Sequence, residues 1–421
     1  MTDRINASII TIGDELLIGQ VVDTNSAWTA QELNKQGISV KQRIAVGDNK
    51  EDILYALNEV QKTADIILIT GGLGPTADDI TKPLLCEYFG GKMIVHQPTL
   101  DFIIDLFEKK FKRPMLERNY KQAEVPDVCT VLMNEKGTAP GMLFTKDKKI
   151  FVALPGVPHE MKWIMEAHVL PYIIRHYSNG YIEHKTMLTA GIGESYLAEK
   201  IKDLEEQLPS YIKLAYLPNY GMVRLRLTGY GTEKEALTQT IYTHFDLVKE
   251  RVAEFLVAEE DLPLEIVLGN LLKNSHKTVV TAESCTGGLI AHLISSVSGA
   301  SAYFKGGIVC YSNDIKINLL NVNPQIIDNA GAVSEETVKD MARGVRNKLK
   351  ADYSIAVSGI MGPDGGTVDK PVGTVWIAVS SKKEIRTNKY QLPFDRQRNT
   401  QQTAINAMIL LRKMIVDNEC G

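Results

Sequence analysis

The chain has 421 residues, 44% of them apolar and 23% charged, with a formal net charge of −4. At roughly 100–200 residues per domain, that length excludes a single ordinary core and points to two to four domains. The acidic balance gives no electrostatic basis for a nucleic-acid partner, and with no signal peptide and no apolar run of about 18 residues the chain reads as cytoplasmic and apart from membranes.

The five cysteines, Cys86, Cys129, Cys285, Cys310 and Cys420, are scattered, odd in number and without a CxxC pair, so free thiols are expected. His159 in "HEMKW" lacks the second histidine of HExxH, which removes that zinc motif.

In the first segment, residues 1–170, the β-rich runs "SIITIG" and "DIILIT" alternate with the helix-like "NSAWTAQELNKQG" and "DILYALNEVQKTA". Such alternation predicts an α/β domain with a parallel sheet and helices on both faces. The run "ADIILIT" leads directly into "GGLGPTADDIT". Gly71, Gly72 and Gly74 let an anion approach the main chain at the carboxyl edge of such a sheet, with the loop running on to Thr76. It is neither GxGxxG nor GxxxxGK[ST], so the dinucleotide-binding and NTPase loops both fail. Asp78 and Asp79 follow; carboxylates beside a phosphate cradle suit Mg²⁺, and the alternative is a tight turn with acidic residues favouring a helix start. "TIGDEL" places Asp14 in another strand-end loop, "KGTAPG" places Gly137, and "LPGVPHEM" places Pro155 and Gly156.

Together "TIGDEL", "GGLGPTADD", "GTAPG" and "LPGVPHEM" resemble the molybdopterin-binding-like domain at the N-terminus of the CinA (competence and damage-inducible) family. The resemblance implies metal-dependent hydrolysis of ADP-ribose. It puts Asp79 and Asp14 near a divalent cation, Mg²⁺ or another, with a monovalent cation as a further candidate. The loop Gly71 to Thr76 would face the phosphates.

Residues 171–255 change character. A helix-like "SYLAEKIKDLEEQL" is followed by two strand-like runs around "PNYG", a small α+β unit. It is similar to the KH-like unit of full-length CinA chains. "GIGE" and "GYGT" both miss the GxxG spacing of RNA-clamping KH domains, so a spacer or dimerisation element is expected and nucleic acid is not.

The last segment, residues 256–421, is a second α/β alternation with strand-like "TVVTAES", "GGIVCYS", "DYSIAVSG" and "GTVWIAVS". Ser284 in "VVTAESCTGGLIAHLI" reads either as a helix cap or as a nucleophile. Tyr311 and Lys316 supply residue types able to take or relay its proton, and main-chain N–H groups from Cys285 through Gly287 to Gly288 could cradle an oxyanion. Cys285 is the rival nucleophile, which spacing alone does not exclude; it would need a His or cation partner to lower its pKa, and His292 in the following helix pattern points away. The strings "AESCTGG", "GAVSEETV", "SGIMGPDGGT" and "FDRQR" resemble the C-terminal CinA domain of nicotinamide mononucleotide amidohydrolase type. That resemblance implies Ser284 as nucleophile, Lys316 and Tyr311 as its activators, and Ser301, Ser358 and Arg398 as substrate-binding residues, with no cofactor. A guanidinium suits the nucleotide phosphate.

The expectation is therefore two α/β domains joined by a KH-like α+β domain in a bifunctional hydrolase of pyridine-nucleotide salvage. It would act on nicotinamide mononucleotide and ADP-ribose, and the family resemblance suggests a homodimer. The alternative is a nucleotide- or pterin-binding accessory protein in competence or recombination, without turnover in the N-terminal half.

Overall fold

A computed structural model describes residues 5–76, 79–177 and 180–419, the side chains of residues 110 and 111 apart. Asp78 and Cys420 lie outside the described residues. By contact density the chain divides into two compact units, residues 1–183 with 229–241, and residues 184–228 with 242–421.

The N-terminal unit is built on β1 (Asn6–Ile12), β2 (Ser39–Val46), β3 (Ile66–Thr70), β4 (Met93–Val95), β5 (Glu124–Pro126), β6 (Thr130–Leu132), β7 (Gly141–Lys146) and β8 (Lys149–Leu154). The main sheet has the order β2-β1-β3-β8-β7-β6, and β4 pairs with β5 separately. Strands β2, β1, β3 and β8 are parallel. Residues alternate between two cores, Ile10, Ile12, Ile67 and Ile69 on one face and Ala7, Ile9, Ile66 and Leu68 on the other. Helix Lys50–Val60 covers the first face with Ile53, Ala56, Leu57 and Val60. Helix Pro158–Ile164 covers the second with Met161 and Ile164.

The expected all-parallel sheet is corrected at one edge. β7 and β8 run antiparallel, as do β6 and β7. Only Asp147 and Lys148 lie between β7 and β8, both with positive φ, and a two-residue connection of that hand joins antiparallel strands; a parallel pair needs a long crossover.

The second unit opens on a sheet of β9 (Tyr181–Ala190, from His184 on), β10 (Ile212–Asn219), β11 (Met222–Gly231, as far as Thr228) and β12 (Leu256–Ala258), in the order β10-β11-β9-β12. The turn read in "PNYG" falls at Tyr220 and Gly221, both left-handed. Leu188, Ala190, Met222 and Val257 share one core with Leu264, Leu268 and Met408, so this sheet packs against the C-terminal fold.

That fold carries β13 (Val279–Glu283), β14 (Phe304–Val309), β15 (Tyr353–Gly359), β16 (Thr374–Ser380) and β17 (Ile385–Gln391) in the order β14-β13-β15-β16-β17. β14, β13 and β15 are parallel, β16 and β17 antiparallel. Helix Glu335–Lys348 covers the face of Val280, Ala282, Ala356 and Ala378. The long helix Arg396–Glu419 covers the face of Val279, Ile355, Val357 and Ile377. Among the described residues, no helix is long and apolar enough to cross a membrane.

Candidate functional site

In the N-terminal unit, β3 ends at Thr70 and the chain enters the glycine loop. A Cβ on Gly71, at φ +115°, would lie 2.2 Å from the carbonyl oxygen of Ile12, so only glycine fits where this loop crosses the end of β1. The loop lines a cleft of about 380 Å³ with Gly71, Gly72, Gly74, Asp79, Pro155 and Gly156 on its wall. Thr138 and Ala139 line it beside Gly137, whose own neighbour is the Glu160 carboxylate.

The carboxylates expected near a cation are each tied to nearby main chain. Asp79 Oδ1 accepts from the Gly74 amide at 2.8 Å, and Oδ2 accepts from the Thr76 amide at 2.8 Å and from the Thr76 hydroxyl. Asp79 thus closes the glycine loop on itself, and Thr76 serves the loop. Asp14 is exposed and exchanges main-chain contacts with Asp48: the Asp14 amide donates to Asp48 Oδ2 at 3.1 Å, and the Asp48 amide donates to Asp14 Oδ1 at 3.2 Å. Glu15, Asp48 and Glu160 line the cleft, with Glu160 accepting from Asn134 Nδ2 at 2.6 Å. Among the described residues, no three of His, Cys, Asp and Glu form a cation-holding group.

Two residues near this cleft went unread in the sequence. Lys82 is buried, its Nζ donating to the carbonyl oxygens of Gln122 at 2.8 Å and Glu124 at 3.4 Å. Burial pushes its pKa down to about 8. Gln122, tied by that contact, lines the cleft. A lysine within "DDITKPLL" gives no sequence signal of burial; its second place in a helix whose Thr81, Leu84 and Leu85 are buried becomes visible only in three dimensions.

In the second unit, Ser284 follows directly on β13 and its amide donates to the Val357 carbonyl of β15 at 3.1 Å. Ser284 is 8% exposed and Lys316 1% exposed. Lys316 Nζ donates to Ser284 Oγ at 3.1 Å, to the Cys310 carbonyl at 2.8 Å and to the Tyr311 carbonyl at 3.1 Å. Lys316 reaches this point from the first turns of helix Asn313–Leu320. Burial lowers its pKa from the ordinary lysine value.

Cys285 belongs to the same buried apolar cluster as Leu264 and Ile290, and burial pushes its thiol up to about 12. Such a thiol stays protonated at neutral pH and is a poor nucleophile. His292 is exposed. Gly287 and Gly288 both have positive φ and turn the chain from Ser284 into helix Leu289–Ser295.

The remaining expected residues divide. Ser358 is 1% exposed, stands on β15 next to Val357, and donates to the Ala332 carbonyl at 2.8 Å. The Tyr311 side chain is 63% exposed and its hydroxyl accepts from Arg396 Nη2 at 3.1 Å; its contribution beside Ser284 is the main-chain carbonyl that holds Lys316. Ser301 is exposed and precedes β14, whose Phe304 pairs with Val279 at the start of β13. Four strand steps, roughly 13 Å, separate that end of β13 from Ser284's end, so the strand pairing does not bring Ser301 beside Ser284. Arg398 stacks over Phe394 at 4.8 Å and lines a separate cleft of about 540 Å³ with Gly193, Pro218 and Gln402. Arg396, the first arginine of "FDRQR", bridges Tyr311 and the Gly362 carbonyl, the latter at 2.8 Å.

Three family models match the chain: a probable molybdopterin binding domain over residues 8–175, the damage-inducible protein CinA KH domain over 184–258, and the CinA C-terminal domain over 261–415. A CinA-like protein of Flavobacterium psychrophilum is 44% identical over 413 residues, 98% of this chain and 99% of that one. A putative competence-damage inducible protein of Halothermothrix orenii is 41% identical over 411 residues, 97% of this chain and 98% of that one. The crystal structure of competence/damage inducible protein CihA from Agrobacterium tumefaciens is 34% identical, covering 35% of this chain and 91% of that one, with a TM-score of 0.35. With full-length relatives at this identity and all three domain types in order, the chain belongs to the CinA family of competence/damage-inducible proteins.

Proposed function

We propose that the C-terminal site is a serine amidase that converts nicotinamide mononucleotide and water to nicotinate mononucleotide and ammonia. The observation that carries this is the buried 3.1 Å contact between Lys316 Nζ and Ser284 Oγ. Two carbonyl oxygens fix the amine, and burial favours its neutral form, in which the contact runs the other way and Ser284 O–H donates to the nitrogen lone pair. As Oγ bonds to the carboxamide carbon, the proton passes to Lys316 Nζ and the carbonyl electrons move to oxygen. Lys316 then protonates the departing nitrogen, which leaves as ammonia. Water repeats the sequence on the acyl-enzyme, returning Ser284 and releasing the acid. The buried Cys285 thiol, held protonated, takes no part.

For the N-terminal cleft we propose hydrolysis of ADP-ribose to AMP and ribose 5-phosphate. Mg²⁺ is held by one or two carboxylates together with substrate phosphates, and Glu15, Asp48 and Asp79 on the cleft wall would supply carboxylates for that part. The cation would polarise the diphosphate and activate water. The glycine loop would receive the phosphates through main-chain N–H groups. A second reading, passive binding of a nucleotide or pterin, is favoured by the bonds that tie Asp79 into its own loop. Both substrates are fragments of NAD, which suits a cytoplasmic salvage enzyme, working as a homodimer.

The test is ammonia and nicotinate mononucleotide release from nicotinamide mononucleotide in EDTA by wild type, Ser284→Ala and Cys285→Ala. Turnover by wild type and Cys285→Ala but not by Ser284→Ala is expected; an inert wild type or an active Ser284→Ala overturns the amidase. ADP-ribose consumption with Mg²⁺ that vanishes in EDTA supports the N-terminal hydrolase, and tight ADP-ribose binding without turnover supports the passive reading.

A further inference from the structure

The residue before Ser284 is a fully buried acid with an unusual set of neighbours. Glu283 is 1% exposed and ends β13. Its Oε2 accepts from the Thr286 hydroxyl at 2.7 Å, the Gly288 amide at 3.1 Å and the Ile290 amide at 3.0 Å. Its Oε1 accepts from the Ala291 amide at 2.8 Å. All four neighbours are donors, the set that a carboxylate satisfies and an amide does not.

The amides of the following turn can be accounted for one by one. Those of Gly288, Ile290 and Ala291 go to Glu283. Ser284 N donates to Val357, Gly287 N to the Ser284 carbonyl at 3.3 Å, and Leu289 N to the Thr286 carbonyl at 3.1 Å. The amides of Cys285 and Thr286 donate to no carbonyl and to no other residue among the described residues, the Cys285 amide facing only its own sulfur. Both residues are buried, at 8% and 5% exposure, and buried N–H groups are nearly always paired. Two consecutive unclaimed N–H groups directly after a nucleophile are the arrangement that receives a carbonyl oxygen as it gains negative charge.

Resting on the amidase reading of Ser284, we propose that Glu283 is a positioning residue that clamps the turn through Thr286, Gly288, Ile290 and Ala291 so that the Cys285 and Thr286 amides stand free as the oxyanion cradle. The sequence expectation of a cradle running to Gly288 is thereby narrowed, since Gly288 N belongs to Glu283. Glu283 touches neither substrate nor Ser284 Oγ in this role. It acts by taking the competing donors and by holding the hydroxyl of Thr286, which fixes the peptide that carries one cradle amide.

The test compares wild type, Glu283→Gln, Thr286→Val and Thr286→Ser for nicotinamide mononucleotide deamidation, with active sites counted by a fluorophosphonate that labels Ser284. Glu283→Gln sets an amide NH₂ against four donors and is expected to lower per-site kcat by at least about 100-fold, the effect of losing one oxyanion donor, with KM within threefold. Thr286→Val deletes one of the four clamping bonds without disturbing the core and is expected to lower per-site kcat about tenfold, with Thr286→Ser restoring it. If wild type is inert or Ser284→Ala is active, the amidase reading itself fails. If wild type turns over and Ser284→Ala does not, yet Thr286→Val keeps the wild-type per-site kcat, the Glu283 clamp alone is overturned. A Glu283→Gln protein that loses labelled sites but keeps full kcat at those remaining would also overturn it, because that is a folding defect.

Discussion

Replacing Lys316 with arginine separates holding Ser284 from deprotonating it. A guanidinium keeps the charge and donates to oxygen, but it does not release its proton in a protein, whereas lysine does so readily once buried. At an ordinary lysine pKa near 10.4 about one amine in a thousand is neutral at pH 7.4, and each unit of lowering multiplies that share by about ten. Burial lowers Lys316, so the neutral amine is enriched in the folded protein. Accordingly kcat/KM for nicotinamide mononucleotide should rise with pH until Lys316 has lost its proton and then level off. Lys316→Arg should lose the proton-transfer contribution, about 10²–10⁴ in rate, and show no rise between pH 6 and 9. Lys316→Met, which also leaves the Cys310 and Tyr311 carbonyls without their donor, should lose a similar factor and in addition about 1–3 kcal/mol of stability. Ammonia release across that pH range, with denaturation midpoints for each protein, measures both effects. Lys316→Arg within tenfold of wild type, or a pH profile that persists in it, would refute the lysine as base.

Three further outcomes follow from the geometry. Tyr311→Phe should cost less than tenfold in kcat, since the hydroxyl faces Arg396 and the carbonyl that holds Lys316 is untouched; a loss like that of Ser284→Ala would restore Tyr311 as an activator. Gly71→Ala meets both a positive φ and the Ile12 carbonyl, whereas Gly19→Ala meets a positive φ and open space. The first should therefore destabilise the protein by more than the roughly 1–3 kcal/mol of backbone strain that both carry, and equal urea midpoints for the two would contradict the contact. Lys82 titrates near 8 in the folded protein against 10.5 in the unfolded chain, so the unfolded chain holds more protons between those values and this residue's contribution to stability rises across that window. Up to about 3 kcal/mol is at stake, so the stability of Lys82→Met relative to wild type should fall between pH 7 and pH 10, and a pH-independent difference would count against the burial account.

The α/β alternation was legible because each strand face carries its own period of apolar residues, as Ile9 and Ile10 show by entering opposite cores. The direction of the edge strands was not. Reading "FTKDKKIFV" as a hairpin depends on Asp147 and Lys148 both adopting the left-handed region; Asp tolerates it, but Lys does not announce it and no glycine follows the Asp. The KH-like segment was legible as a turn at "PNYG", but the core it shares with helices of the last segment holds both Met222 and Met408, a grouping that no local pattern encodes.

The chemistry follows the same division between what is close in the chain and what the sheet brings close. The glycine loop and "ESCTGG" are contiguous, and their backbone shapes are set by glycines whose need can be argued from residue type. Lys316 is 32 positions from Ser284, and it reaches the site because β14 lies beside β13 and delivers the chain to the start of helix Asn313–Leu320. The same parallel pairing removes Ser301, since the residue that enters β14 stands at the opposite end of the sheet from the residue that leaves β13. Of the two arginines in "FDRQR", the first rotates toward Tyr311 and Gly362 and the second stacks on Phe394, a choice made by their places on the first turn of helix Arg396–Glu419. Glu283 was the least visible of all. Next to a serine and a cysteine it reads as a neighbour of the chemistry, and only the four donors that converge on its carboxylate give it a part in that chemistry.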